Sequence, residues 1–314
     1  MPTNRLRIGT RGSKLARTQT EMVVAMLCAA HPGLEVSVEV ITTVGDLRRD
    51  VPFAHVGAKG MFVKEIEEAL LDGRIDVGVH SLKDMPSELP VGLEIGCVPQ
   101  REDACDALVS RGDVVLEQLP ARAIVGTSSI RRQAQLLVVR PDLQMRESRG
   151  NVDTRLRKLD EGTYDAIVLA CAGLNRLGLT DRISQRLSPL FCLPAVGQGA
   201  LALEVRVDDD KTLRLVNGIH HPDTAACVQA ERGFQFGLSG GCSVPAAALA
   251  TIEADELTLR AIIAAPDGSH VMTETASGSR RDARQLGLRA AELLLSRGGR
   301  ALLAAVVERA DPYR

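Results

Sequence analysis

The chain has 314 residues, 45% hydrophobic and 25% charged, with a formal net charge of -2, which is enough apolar material for two or three ordinary domains and excludes a globally basic nucleic-acid binder. Aromatic residues make up 2% and Trp is absent, so the core is aliphatic and platforms for stacking nucleobases are scarce. Seven Cys without a CxxC pair, no apolar leader between Met1 and Thr10 and no apolar run of roughly 20 residues point to free thiols in a reducing cytoplasm, not to secretion or a membrane span.

The first unit opens with a short strand, Leu6-Arg7-Ile8, and the Gly-punctuated turn Gly9-Thr10-Arg11-Gly12-Ser13. Leu15, Gln19, Met22, Val23, Met26, Leu27 and Ala30 then recur at helical spacing, with Ser13 as N-cap and His31-Pro32-Gly33 as the stop. A strand feeding a helix N-terminus makes an anion site. An alternating strand follows at Val36, Val38 and Val40, and then a stretch from Thr43 to Gly60 without periodicity, holding His55 and Lys59, which reads as a lid. A helix through Phe62, Ile66, Ala69 and Leu70 ends at Asp72-Gly73.

The next stretch, Asp76 to Pro86, begins as a buried-type strand and then presents Ser81, Lys83 and Asp84 before Pro86 ends regular structure. Polar groups at the C-terminal end of a strand are where open α/β sheets bind ligands, which makes Asp84 the first candidate for a working carboxylate. On this segment alone, an exposed turn pair Lys83-Asp84 is the simpler reading.

From about Ala121 the same order recurs: Ile124-Val125-Gly126-Thr127-Ser128-Ser129, a helix with Ile130, Ala134, Leu137 and Val138, a strand near Leu143 to Met145, the turn Arg149-Gly150-Asn151 and a helix through Val152, Leu156 and Leu159. Asp160 to Val168 parallels Leu71 to Val79, so two similar lobes face a cleft. Pro99 to Asp103 reads as the crossing outward and the strand Leu201, Leu203, Val205, Val207 as the crossing back, which makes a two-strand hinge. The expected division is residues 1–99 plus 200–217, residues 100–199, and residues 218–314. The last part is α+β: a helix from about Asp223 to Phe236, the loop Gly237 to Pro245, three strands near Ala246 to Ile252, Leu257 to Ile263 and Val271 to Ala276, and helices near Asp282 to Ser296 and Arg300 to Arg309.

Arg supplies 32 of the 38 basic residues, and eight lie between Arg122 and Arg157, where acids are few. Arg forks bind carboxylates and phosphates, so a local Arg field suggests a polyanionic ligand. Lys59, Lys83, Arg11, Arg131, Arg132, Arg149, Arg155 and Arg176 fall in turns or early helical turns, where ordinary solvated charge is the competing reading. Adjacent Arg131 and Arg132 cannot share one side of a helix, so at most one is expected to reach a given group. Cys28, Cys97, Cys105, Cys171, Cys192 and Cys227 read as core or half-buried thiols. Cys242 sits in a Gly-rich loop where a thiolate could act as nucleophile. His80 and His220-His221 lack zinc spacing, so no metal is expected.

Val79-His80-Ser81-Leu82-Lys83-Asp84-Met85-Pro86, Val125-Gly126-Thr127-Ser128-Ser129-Ile130-Arg131-Arg132-Gln133, Arg149-Gly150-Asn151, Leu193-Pro194-Ala195-Val196-Gly197-Gln198-Gly199-Ala200 and Gly240-Gly241-Cys242 together resemble the porphobilinogen deaminase (hydroxymethylbilane synthase) family over essentially the whole chain. The resemblance implies an α/β chain of two type II periplasmic-binding-protein-like lobes with a hinge, plus a third α+β domain with a three-stranded sheet. It implies a dipyrromethane cofactor in thioether linkage to Cys242. It implies a transferase that condenses four porphobilinogen molecules head to tail, with loss of ammonia, to hydroxymethylbilane in tetrapyrrole biosynthesis.

Loss of ammonia leaves an electron-poor azafulvene that the terminal pyrrole attacks, so positive charge develops on pyrrole nitrogen. A carboxylate in a partly dry cleft stabilises it, and Asp84 takes that role. The resemblance assigns Ser81, Lys83, Asp84, Thr127, Ser129, Arg131, Arg132, Arg149 and Gly150 to the cofactor. Arg11, Ser13, Gln19, Arg149, Arg155 and Arg176 go to the substrate, and His55 and Lys59 to the lid. Many relatives carry Lys at the position of His55 and Gly at that of Ala58, a departure that bears on the ligand role of residue 55. A cytoplasmic monomer passing its product to uroporphyrinogen-III synthase is the accompanying expectation, with neither nucleic acid nor membrane as partner. A solute-binding protein shares the lobes but needs an export signal, and a nucleic-acid binder could use the Arg-rich segment but lacks the charge and the aromatics.

Overall fold

The computed structural model of the chain describes residues 5–47, 63–238 and 245–304. The first part runs β1 (Arg5–Arg11), α1 (Lys14–Ala30), β2 (Glu35–Ile41), α2 (Val44–Leu47), α3 (Lys64–Leu71), β3 (Val77–Ser81), a 3₁₀ turn (Leu82–Asp84) and β4 (Leu93–Cys97). The second runs β5 (Asp106–Ser110), β6 (Ile124–Gly126), α4 (Ile130–Val139), β7 (Gln144–Arg146), α5 (Val152–Asp160), β8 (Ala166–Ala170), α6 (Cys171–Arg176) and β9 (Gln185–Leu187). The chain continues as β10 (Leu201–Arg206), α7 (Asp210–Asn217), α8 (Pro222–Gly237), β11 (Ala246–Glu253), β12 (Glu256–Ala264), β13 (Val271–Ser279) and α9 (Ala283–Leu294).

These strands make two five-stranded sheets, ordered β2-β1-β3-β10-β4 and β7-β6-β8-β5-β9, and a three-stranded sheet β11-β12-β13. The two larger sheets share one plan. In each, three parallel strands are followed by an antiparallel fourth, β10 against β3 and β5 against β8. The sequence repeat is thus a structural one, and the fourth strand is in each case the one entered after a crossing. The helix starts are fixed locally: the side chains of Ser13, Ser129 and Asn151 accept from the backbone N–H of Ala16, Arg132 and Thr154.

The two crossings pack tightly. Gly199 adopts φ +85°, and a Cβ there would lie 2.4 Å from the Glu102 carbonyl oxygen, so only glycine lets the return segment lie against the outward one. Glu231 of α8, fully buried, ties both crossings to the third sheet: it accepts from Arg101 Nη1 at 2.5 Å, Gly197 N at 2.7 Å and Ala250 N at 3.0 Å. The third sheet packs Leu257, Leu259, Ala261 and Ile263 against Phe234 of α8 and Leu286, Ala290 and Leu294 of α9.

Several local expectations are corrected. Val38 and Val40 do not face a core: they are 46% and 51% exposed, because β2 is an edge strand. Cys28 is exposed, since it lies one step round α1 from the buried Leu27. Val44–Leu47 is a short helix inside the stretch read as aperiodic; residues 48–62, with His55 and Lys59, lie outside the described residues. After α9 the backbone passes through one π turn (Leu295–Gly299) with Gly298 at φ 112°, and residues 300–304 are again helical. No helix among the described residues is long and apolar enough to cross a membrane.

Candidate active site

The strand β3 ends at Ser81, and the 3₁₀ turn that follows buries Leu82 while turning Asp84 outward. Arg11, Ser13, Gln19, His80, Ser81 and Asp84 line one pocket of the first lobe. Gln19 and Ser81 hydrogen-bond across it, Nε2 to Oγ, at 3.0 Å. The Asp84 carboxylate is exposed, not half-dry as the chemistry suggested. Exposure follows from the turn, whose apolar anchors Leu82 and Met85 take the inward positions.

Lys83 points toward the second lobe. Its ammonium donates to Gln198 Oε1 at 3.3 Å. Burial pushes it down to about 8, against the pull of Asp84 and Asp106 and with the help of Arg132 and Arg131. Arg155, on α5, is pushed down to about 10 by burial and by Arg132, with Tyr164 and Asp84 opposing. It stays charged at neutral pH. Asp84 and Lys83 of one lobe therefore share an electrostatic environment with Arg132 and Arg155 of the other.

Arg131 and Arg132 depart most from expectation. Both are 6% exposed, and both reach the same group: Arg131 Nη1 donates to Asp106 Oδ2 at 2.7 Å, and Arg132 Nε and Nη2 donate to Oδ1 at 2.9 and 2.7 Å. Adjacent helix positions diverge at the Cα, but long side chains in the first turn of α4 swing back to a carboxylate at the head of β5. Burial works to raise the Asp106 carboxyl, and the two guanidinium groups override it and hold it well below the usual carboxylate range. Gln198 Nε2 donates to Asp106 Oδ1 at 2.8 Å, so Lys83, Gln198 and Asp106 form a polar chain from lobe to lobe.

The Arg field is also more neutralised than residue counts imply. Arg149 pairs with Glu147 at 2.6 Å, Arg140 with Asp142 at 2.7 Å and Arg157 with Glu161 at 2.8 Å. Two cleft arginines donate to backbone carbonyls and not to a carboxylate among the described residues. Arg155 Nε donates to the Gly150 carbonyl at 2.8 Å, and Arg176 Nη2 to that of Gly199 at 2.7 Å while its buried Nε has no hydrogen-bond partner among the described residues. Thr127 Oγ1 accepts from Ser129 N at 3.1 Å, and Gly150 turns at φ 109° into the Asn151 cap, so both shape loops at the cleft edge. Cys242 lies outside the described residues, in 239–244. Among the described residues no group of three His, Cys, Asp or Glu is placed to hold a metal ion.

Asp106, Gln198, Glu204 and Glu231 were not singled out from sequence. Gln198 lies inside the Leu193 to Ala200 motif, and an acid heading the apolar strand Asp106–Ser110 is the one local sign of a buried counter-ion. Glu204 and Glu231 carry no such sign.

Fold and site together define a two-lobed α/β protein with a third α+β domain and a cleft that sets one carboxylate opposite cations of the other lobe. Residues 6–214 match the family described as porphobilinogen deaminase, dipyromethane cofactor binding domain, and residues 225–296 match porphobilinogen deaminase, C-terminal domain. The chain is similar to the porphobilinogen deaminase of Geobacter sulfurreducens, 51% identical over 98% of this chain and 97% of that one. It is similar to that of Syntrophotalea carbinolica as well, 53% identical over 98% and 97%. Among solved structures it is similar to the BvgS periplasmic VFT2 domain of Bordetella pertussis, 14% identical over 69% of this chain and 87% of that one, with a TM-score of 0.41. The chain belongs to the porphobilinogen deaminase family, whose members are hydroxymethylbilane synthases, enzymes of the transferase class.

Proposed function

We propose that Asp84 is the charge-stabilising carboxylate of the head-to-tail condensation of four porphobilinogen molecules to hydroxymethylbilane, and that the facing cations hold the ligand's acetates and propionates. The observation that carries this reading is the position of Asp84, exposed in a pocket with Arg11, Ser13, Gln19 and Ser81 and within electrostatic reach of Arg155 in the other lobe.

The donor set fits a dipyrromethane, whose two pyrroles each bear an acetate and a propionate: among the described residues Lys83 donates to an amide and Arg155 to a backbone carbonyl, and the buried Arg176 Nε has no hydrogen-bond partner. When bound, that group would supply the free pyrrole carbon to which the first porphobilinogen is joined, each later unit joining the terminal pyrrole of the chain. Ser81, Lys83, Thr127, Ser129, Arg131, Arg132, Arg149 and Gly150 are assigned to holding it, and Cys242 to anchoring it. Arg11, Ser13, Gln19, Arg149, Arg155 and Arg176 are assigned to the incoming substrate. Asp84 holds its negative charge where pyrrole nitrogen becomes positive and exchanges a proton there.

His55 and Lys59 are assigned to a lid. The three sheets support a division into residues 1–99 plus 200–217, 100–199 and 218–314. The reading includes a cytoplasmic monomer that hands its product to uroporphyrinogen-III synthase. The test is the Cys242 thiol. Intact-mass measurement should show added mass of two condensed porphobilinogen units, which peptide mapping places between Gly237 and Pro245. Cys242→Ser should fold, lack the adduct and the pyrrole colour reaction, and make little product. An unmodified Cys242→Ser protein with wild-type turnover would refute the covalent primer.

A further inference from the structure

Directly behind the Asp84 turn, the first lobe buries three titratable side chains that the reaction does not use. His80, on β3, lies with Nε2 3.0 Å from Glu204 Oε2 on β10, and the two side chains are 2% and 0% exposed. Neither Glu204 oxygen, nor His80 Nε2, nor Glu67 Oε1 on α3 has a hydrogen-bond partner among the described residues, so the His80–Glu204 contact is a close approach of two titratable groups without hydrogen-bond alignment.

The strand is built to allow it. Gly78 shares a face with His80 and stands opposite Glu204, and a Cβ at 78 would lie 2.8 Å from His80 Nε2 and 2.7 Å from Ile66 Cγ2. The missing side chain is the space through which the imidazole reaches the next strand.

The charges facing this set come from every element packed on it. Glu67 and Glu68 come from α3 and Glu204 from β10. Arg232 comes from α8 and lies in the field of Glu204. Arg11, Gln19 and Asp84 line the pocket on the other side. Two buried carboxylates cannot both stay ionised without matched cations. Glu67 is accordingly pushed up to about 7, by burial first and then by Glu204, with His80 opposing. Arg232 also donates Nη2 to the carbonyls of Pro86 at 2.9 Å and Ser87 at 3.2 Å. Arg232 thus anchors the chain just past Asp84, and His80 stands on the strand just before it.

We infer that Glu67, His80 and Glu204 share one exchangeable proton and, braced by Arg232, act as positioning residues that fix the Asp84 turn for catalysis. With the proton present, the buried charges balance and the end of β3 is held. Its loss leaves an uncompensated buried carboxylate beside the strand that presents Asp84. This rests on the role proposed for Asp84, and the titration belongs to the set as a whole.

The test uses the wild-type holoenzyme and Glu67→Gln, which is close in shape and permanently neutral. In the wild type, kcat should fall on the alkaline side with an inflection near neutral pH while KM changes little. In Glu67→Gln that inflection should move up by about one pH unit or more, with acid-side kcat within about twofold of wild type. An unmoved inflection overturns the inference. Because any variant could fold poorly, the histidine ring signals of the labelled wild-type holoenzyme provide a second reading. The His80 signal, identified by its contact with Gly78, should shift between about pH 6 and 8. A flat signal across that range overturns the shared proton and leaves the role of Asp84 standing. Full activity in Asp84→Asn would instead remove the positioning role, whatever His80 does.

Discussion

Replacing Asp106 by Asn tests the polar link between the lobes most severely, because it preserves shape and removes one charge. The wild-type carboxylate, 0% exposed, accepts from Arg131 at 2.7 Å, from Arg132 at 2.9 and 2.7 Å and from Gln198 at 2.8 Å. In the variant the two guanidinium groups keep a neutral amide oxygen and their backbone carbonyls, Leu193 for Arg131 at 2.6 Å and Val168 for Arg132 at 2.8 Å. Removing one member of a buried ion pair costs about 3–5 kcal/mol. The retained amide oxygen and the two carbonyls place this case near the low end, about 3 kcal/mol. At about 4–8 °C per kcal/mol for a unit of this size, the second lobe should unfold about 12–24 °C earlier at pH 7.

The pH dependence has a definite sign. The Asp106 carboxyl is held below its unfolded value, so its contribution is complete above about pH 4 and is lost as pH falls through the folded value. Calorimetry of wild type and variant at pH 7 and near pH 3 should therefore show a gap that narrows in acid. The gap should also narrow when the cofactor is bound, if Arg131 and Arg132 then share its carboxylates. A variant melting within about 1 °C of wild type at pH 7, or a gap indifferent to pH, would refute the reasoning.

Asp84→Asn, at an exposed site with no packing role, should keep wild-type stability and lose roughly a hundredfold or more in kcat, read by steady-state rates. Arg155→Leu should lower the rate of chain elongation without lowering the melting temperature, since burial already disfavours that guanidinium; loss of stability with normal activity per folded molecule would make it structural. Lys83 carries the opposite sign to Asp106. Its lowered value means its buried charge costs stability below about pH 8, a cost relieved as pH rises from about 8 to 10.5. A cofactor carboxylate beside it should raise that value, so the stability cost should be smaller in the holoenzyme than in cofactor-free protein, a difference visible by calorimetry at pH 7 and 9 and absent in Lys83→Gln.

Much of this protein was legible one segment at a time. Caps and stops of helices depend on residues three or four apart, so Ser13, Asn151 and His31-Pro32-Gly33 marked real boundaries. The echo of Leu71 to Val79 in Asp160 to Val168 foretold β3 and β8, which occupy the same place in two sheets of one plan. The strand-end position of Asp84 followed from the apolar run before it and Pro86 after it.

Tertiary structure alone decided which charges face a ligand and which face each other. Arg131 and Arg132 looked like half of a ligand-binding field, and their counter-ion stands 25 and 26 positions away. Glu231 meets Arg101 across 130 positions, and Lys83 meets Gln198 across 115. No spacing rule reaches that far, because such pairs are set by how sheets and crossings pack. His80 showed the same limit at closer range. Its motif marked it as part of the site, but the carboxylate beside it sits on a strand that enters the first lobe only after the chain has built the second. The Cβ-free gap at Gly78 that lets them meet exists only once β3 and β10 are paired.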